Sequence, residues 1–164
     1  MVCFRLACAP QPLPLIAALA QLESLLLPHP WGEASLTSTL AQPGIVLAVA
    51  EDEGGRLLAY CLIQQVLDEA TVLQMGTAPS AQRQGIAGRL LSLGLTALQA
   101  SGCVTLWLEV RASNTAARAL YRRLGFVVET VRKRYYPALV PGEPDEDALV
   151  MRRPLDPASL ADSA

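Results

Sequence analysis

The sequence predicts an α/β domain, a mixed and mostly antiparallel sheet with one parallel central pair and helices on both faces. Three observations carry this. Between residues 45 and 77, short apolar runs alternate with tight turn signals, the pattern of an antiparallel meander. A helical apolar period follows between residues 86 and 98 and leads into another strand pattern. That order calls for a right-handed crossover and therefore a parallel pair. Finally, 164 residues with 52% hydrophobic content suit one core, and neither a linker nor an internal repeat divides the chain. One domain is expected over residues 1–154, with a flexible Pro-, Ala- and Ser-rich tail over 155–164.

The elements follow in order. From Leu13 to Leu27, apolar residues recur at Leu15, Leu19, Leu22, Leu25 and Leu26, the spacing of an amphipathic helix. Pro10, Pro12 and Pro14 precede this run, and Gln21 and Glu23 interrupt it, which favours a helix over a secretory signal. Leu6-Ala7-Cys8 resembles a lipoprotein cleavage site only faintly, because no apolar stretch precedes it. A second helix is expected from Trp31 to Leu40, closed by Pro43-Gly44. Strands are expected at 45–50, 57–66 and 70–77, with Gly54-Gly55 and Asp68-Glu69 at the turns. The helix from Gly85 to Ala100 stops at Gly102. A strand at 104–110 leads to a helix capped by Ser113 or Asn114 and stopped by Gly125. Strands at 126–135 and 147–152 end the domain.

Composition removes several function classes. The net charge of −2 argues against a general nucleic-acid binder, which would carry a strong basic excess. No apolar segment is long enough to span a bilayer, so no membrane partner is expected. Cys3, Cys8, Cys61 and Cys103 form no Cys-x-x-Cys pair and His29 stands alone, so no metal site is expected. Scattered cysteines suit the reducing cytoplasm.

Three segments can carry chemistry. Gln82-Arg83-Gln84-Gly85-Ile86-Ala87-Gly88-Arg89 joins a strand to a helix. Its glycines allow close backbone approach, and the unpaired N–H groups of the first helical turn favour a phosphate. Read alone, an ordinary glycine-bearing helix start explains it better. In Thr105–Arg111 the residues Leu106, Leu108 and Val110 alternate with Trp107, Glu109 and Arg111, so Glu109 shares a face with an aromatic ring. A carboxylate there can serve as a general base, although a solvated polar face is the stronger reading of the strand alone. Asn114, Arg118 and Tyr121 lie near one face of the following helix, where Tyr121 reads most simply as a half-buried aromatic.

Taken in order, these pieces resemble the GNAT acetyltransferases, and most closely the ribosomal-protein-alanine N-acetyltransferase (RimI) family. The resemblance rests on Val66–Thr71, Gln82–Gly85, Thr105–Asn114, Ala119-Leu120-Tyr121, Leu124-Gly125-Phe126 and Tyr135-Tyr136-Pro137, with Pro30-Trp31 and Glu146-Asp147-Ala148 in support. It covers the span from Leu15 to Met151. It implies that Glu109 accepts a proton, Tyr121 donates one and Asn114 binds the cofactor. It further implies that Met75, Gly76 and Thr77 hold the pantetheine arm of acetyl-CoA, and that Arg83, Gln84, Gly85, Ile86, Ala87 and Gly88 hold its pyrophosphate. The acceptor it implies is the N-terminal alanine of a small-subunit ribosomal protein. The chain departs from the family pattern at Gly76-Thr77-Ala78-Pro79, at Ala81 and in a longer Leu139–Asp145 loop.

On this reading a direct transfer is expected. Glu109 takes the amine proton through a water, backbone N–H groups near Met75–Thr77 meet the oxyanion, and Tyr121 protonates the leaving thiolate. Asp68 and Glu69 are candidates for attracting a cationic N-terminus, with plain turn residues an equal alternative. Tyr135 and Tyr136 are candidates for the peptide groove, whereas Arg132-Lys133-Arg134 reads as a solvated strand edge. The rivals are an acetyltransferase of lysine side chains or small amines, a non-catalytic acetyl-CoA-binding module, and a toxin-like acetyltransferase of aminoacyl-tRNA.

Overall fold

The computed structural model describes residues 1–7 and 12–156. Cys8, Pro10 and the expected tail beyond Asp156 lie outside the described residues. The elements are β1 (Cys3–Ala7), α1 (Leu13–Leu26), α2 (Gly32–Leu40), β2 (Ile45–Glu51), β3 (Leu57–Val66), β4 (Glu69–Thr77), α3 (Ile86–Ala100), β5 (Thr105–Arg111), α4 (Thr115–Arg123), β6 (Val127–Tyr136) and β7 (Glu146–Pro154). A 3-10 turn at Pro79–Ala81 stands between β4 and α3. The seven strands form one sheet in the order β1-β2-β3-β4-β5-β7-β6. All pairs are antiparallel except β4 with β5, as the expected crossover requires.

Two features depart from expectation. The strand β1 was not anticipated. It lies at a sheet edge with most of its side chains exposed, so burial imposes no strong alternation on it. Arg5 fastens it to β2 through two hydrogen bonds to Glu51, at 3.0 and 2.9 Å. At the other end, packing continues one residue past the expected boundary. Leu155 is buried, and its N–H donates to the carbonyl of Val104.

Strand alternation sorts the core into two layers. On β2, Leu47 and Val49 face α1 and α2, while Ala48 and Ala50 face α3. Small alanines on the α3 side give room for the buried Leu90, Leu91, Leu95 and Leu98 of that helix. Truncating Leu98 to alanine is expected to cost about 2–5 kcal/mol, read as a lowered denaturant midpoint, because a fully enclosed side chain leaves a cavity. In α1 the stripe differs from the expected one. Leu25 is 70% exposed, and Glu23, expected to interrupt the apolar face, is fully buried.

One irregularity shapes the middle of the sheet. Ile63 pairs with Val72 and Leu62 with Gln74, so Leu73 is an extra residue, a β-bulge in β4. Pairing of β4 with β5 runs only from Glu69↔Thr105 to Thr71↔Trp107. Beyond it the two strands part, although β4 stays paired with β3 as far as Thr77 and β5 with β7 as far as Arg111. The result is a wedge at the C-terminal ends of two central parallel strands, where the sheet's own ladder leaves backbone groups for a ligand.

Candidate active site

The wall of the wedge nearest α3 is built by the segment after β4. Ala78 donates its N–H to the carbonyl of Leu58 at 2.7 Å, and Ala81 packs into the core. Two glutamine side chains then brace the loop: Gln82 Nε2 donates to the Thr77 carbonyl (3.2 Å) and Gln84 Nε2 to the Ser80 carbonyl (3.0 Å). Arg83 (φ 58°) and Gly85 (φ 75°) are left-handed. That conformation costs glycine little and other residues roughly 1–2 kcal/mol. The chain thus enters α3 with no side chain capping its first turn, so those N–H groups are open to an anion.

A cleft of about 600 Å³ lies beside this turn. Met75, Gly76 and Thr77 of β4 form one side. Arg83, Gly85, Ile86, Ala87 and Gly88 form the second, and Asn114 and Tyr121 from the α4 region close it. Every residue expected to bind acetyl-CoA is therefore gathered here except Gln84, whose side chain braces the loop instead. Leu26 and Leu27, at the end of α1, also line the cleft and were not anticipated. The donor set fits a thioester carried on an amide-rich, phosphate-bearing arm: open helix N–H groups for phosphate, and for amides the edge of β4 that no longer pairs with β5.

Tyr121 is brought to this cleft by α4. Asn114 caps that helix, its Oδ1 accepting from the Ala117 N–H at 3.1 Å, so one residue both starts the helix and lines the cleft. The Tyr121 ring tilts against Phe126, with centroids 5.9 Å apart. Burial raises the Tyr121 phenol above its ordinary range, and the neighbouring Cys61 and Tyr136 add to the effect. Cys61 is fully enclosed, and burial pushes its thiol up to about 12, so it stays neutral. An acylated cysteine intermediate finds no support in such a residue.

Glu109 lines a second cavity of about 650 Å³. Its walls include Trp31, Gln74, Trp107, Tyr135 and Tyr136. The β5 alternation is as expected, with Leu106, Leu108 and Val110 buried and Trp107, Glu109 and Arg111 half-buried. Arg132 is not simply a solvated edge residue. Its guanidinium pairs with Glu109 and lies 3.8 Å from the Tyr135 ring centroid. The Glu109 carboxylate in turn raises Arg132 above its ordinary range. Arg132 occupies this place because Glu129 is an extra residue in β6: Val128 pairs with Met151 and Thr130 with Val150, so Thr130 and Arg132 share the face of Glu109. Lys133 pairs with Asp147. Arg111 lies over the Tyr136 ring and pairs with Glu146 (3.1 Å), whose other oxygen accepts the Ser113 N–H (2.6 Å). Those Ser113 and Arg111 contacts hold Glu146 below the usual carboxylate range and fix the turn that presents Asn114.

The two cavities follow one another along β4: Thr71 to Gln74 line the Glu109 groove, and Met75 to Thr77 line the Tyr121 cleft. Tyr136 stands between them electrostatically. Burial, and then the Glu109 charge, raise the Tyr136 phenol, and Tyr136 adds a lesser part to the raising of Tyr121, which is due first to burial. Asp68 and Glu69 are not brought to either cavity. Glu69 pairs with Thr105, four residues before Glu109, and Asp68 lies one residue further back, roughly 16 Å from Glu109 along an extended strand. They serve the far end of the sheet, where the Asp68 carbonyl accepts the Val104 N–H. Among the described residues no three His, Cys, Asp or Glu side chains gather as a metal site, and no helix is long and apolar enough to cross a membrane.

Comparison with known proteins agrees with this geometry. The acetyltransferase (GNAT) family model matches residues 16–126. The [ribosomal protein bS18]-alanine N-acetyltransferase of Salmonella typhimurium is 39% identical over 135 residues, spanning 82% of this chain and 88% of the relative. The crystal structure of the Escherichia coli ribosomal-protein-S18-alanine N-acetyltransferase superposes with a TM-score of 0.83 at 35% identity, covering 95% of both chains. The structure of the NatC complex bound to Gag peptide and CoA shares the fold, with a TM-score of 0.81 at 18% identity over 94% of this chain and 99% of that one. With a family match across the wedge and the Tyr121 cleft, and relatives aligned over most of its length, this chain belongs to the GNAT acetyltransferase family, in its ribosomal-protein-alanine N-acetyltransferase group.

Proposed function

We propose that the protein transfers acetyl from acetyl-CoA to the free α-amine of a protein N-terminus, with the N-terminal alanine of a small-subunit ribosomal protein as acceptor. The observation that carries this reading is the succession of two cavities along β4, one suited to a thioester arm and one bearing a carboxylate among aromatic walls. The names of the relatives support the choice of acceptor. Acting on a ribosomal protein would place the enzyme in the cytoplasm.

Glu109 takes one proton from the attacking amine, directly or through a water, and Arg132 keeps its carboxylate oriented. As the C–N bond forms and the C–S bond breaks, N–H groups of Met75 to Thr77 face the developing oxyanion, and Tyr121 returns a proton to the sulfur. An α-amine, with a pKa of about 8, releases its proton far more readily than a lysine near about 10.4, so a carboxylate suffices as base. Tyr135, Tyr136 and Trp31 would flank the first residues of the acceptor.

A peptide panel tests the reading. Incubated with acetyl-CoA, the protein is expected to release thiol with a free N-terminal alanine peptide. Its N-acetylated, lysine-containing counterpart and simple amines should give none. Turnover of the blocked lysine peptide alone would replace this acceptor class with a side-chain amine.

A further inference from the structure

Glu23 has no part in the chemistry above, yet it is a fully buried carboxylate. Its surroundings are all hydrogen-bond donors. Oε2 accepts the backbone N–H of Trp31 at 2.9 Å, and Oε1 accepts the Tyr60 hydroxyl at 3.2 Å. The amide of Gln74 faces an indole on one side and the carboxylate on the other, which sets its orientation. Its Nε2 donates to Glu23 (2.6 Å) and to the Tyr60 oxygen (3.0 Å), and its Oε1 accepts the Trp31 indole N–H (2.6 Å). Burial, and then the Glu23 charge, raise the Tyr60 phenol, so it remains a donor.

The partners lie at a junction. Glu23 is on α1, Tyr60 on β3 and Gln74 on β4 just past the bulge, while Trp31 closes the connection from α1 to α2. Trp31 and Gln74 are walls of the Glu109 groove, and Leu26 and Leu27, in the same connection, are walls of the Tyr121 cleft. A buried charge left with one donor missing is costly, so this set tends to form as a whole. It binds the α1–α2 connection to β4 at the point where the strand leaves its parallel neighbour.

We propose that Glu23 is a positioning residue for the acceptor: it fixes the Trp31 wall and the Gln74 edge of the groove opposite Glu109, without touching either substrate. The proposal rests on the reading of that groove as the acceptor site. It follows that loss of the Glu23 charge should harm recognition of the peptide more than binding of acetyl-CoA or the chemical step.

The test compares wild type, Glu23→Gln, Tyr60→Phe and the exchange Glu23→Gln/Gln74→Glu, with Ser24→Ala as an exposed control on the same helix. Steady-state kinetics are measured with a free N-terminal alanine peptide, and calorimetry gives the Kd for acetyl-CoA. Glu23→Gln is expected to raise the peptide KM about tenfold or more, since a charge-assisted acceptor is lost. Its kcat and acetyl-CoA Kd should stay within about twofold. Tyr60→Phe should move the peptide KM in the same direction by less, and Ser24→Ala should move nothing. The exchange variant restores one acceptor facing the same donors and should recover much of the loss. An unchanged peptide KM in Glu23→Gln overturns the proposal, as does a parallel loss of acetyl-CoA affinity, which would mark a general structural role. Absence of wild-type turnover with any free N-terminal peptide overturns the acceptor reading itself, and the proposal with it.

Discussion

Replacing Glu109 with glutamine is expected to lower kcat/KM for an N-terminal peptide by about 10²–10⁴-fold while the Kd for acetyl-CoA stays constant. Glutamine keeps the size of the side chain and an oxygen for Arg132, so the groove retains its shape. Only the ability to take a proton is lost. The defect should depend on pH in a definite direction. Below about pH 8 most of the acceptor α-amine is protonated and needs the base. Above it the amine is neutral unaided, and the gap between variant and wild type narrows. Rate profiles from pH 6 to 9.5 check this. A small loss that does not vary with pH would remove Glu109 from proton transfer.

Tyr121→Phe is expected to lower kcat by about 10²-fold or more with little change in acetyl-CoA affinity, because only the proton for the departing sulfur is missing. The phenol is buried and its pKa is raised, so its protonated form persists as pH climbs through about 10, the ordinary value. Wild-type kcat should therefore show no descending limb from Tyr121 below about pH 10. A limb centred lower that vanishes in the phenylalanine variant would contradict both the burial argument and the assigned role. Thermal unfolding separates this from damage to packing. The ring still has Phe126 to lean on, so the melting point should hold within a few degrees.

The parts of the fold that follow periodicity were legible in the sequence. The meander, the crossover helix and the β5 alternation are set by which residues must be buried, and burial leaves its mark on the residue pattern. The edge strand β1 buries little and leaves a weak mark. Leu25 fits the apolar period of α1 yet is exposed, and Glu23 reads as an interruption of that period because a carboxylate is ordinarily a surface residue. Only the three-dimensional set of Trp31, Tyr60 and Gln74 makes its burial affordable. Arg132 was unreadable for a related reason. Its partner is 23 positions away, and the extra residue Glu129 turns it to the Glu109 face. The cleft proposed for acetyl-CoA is suggested in the sequence only by the ordered series of motifs. Asp68 and Glu69 looked apt by charge alone, and register placed them at the wrong end of the strand.

The extra residue at Leu73 decides what the rest of β4 can present. Strand side chains point up and down in turn, so the same residues paired without that bulge would invert everything from Gln74 onward. Methionine would then be driven to the side where Gly76 now sits. There even one added carbon would come within 2.6 Å of Leu26 and 2.9 Å of Tyr60. Gln74 would rotate away from the indole it now receives. Counted in residues the distinction is the smallest possible, but it separates a seamless sheet from one with a doorway.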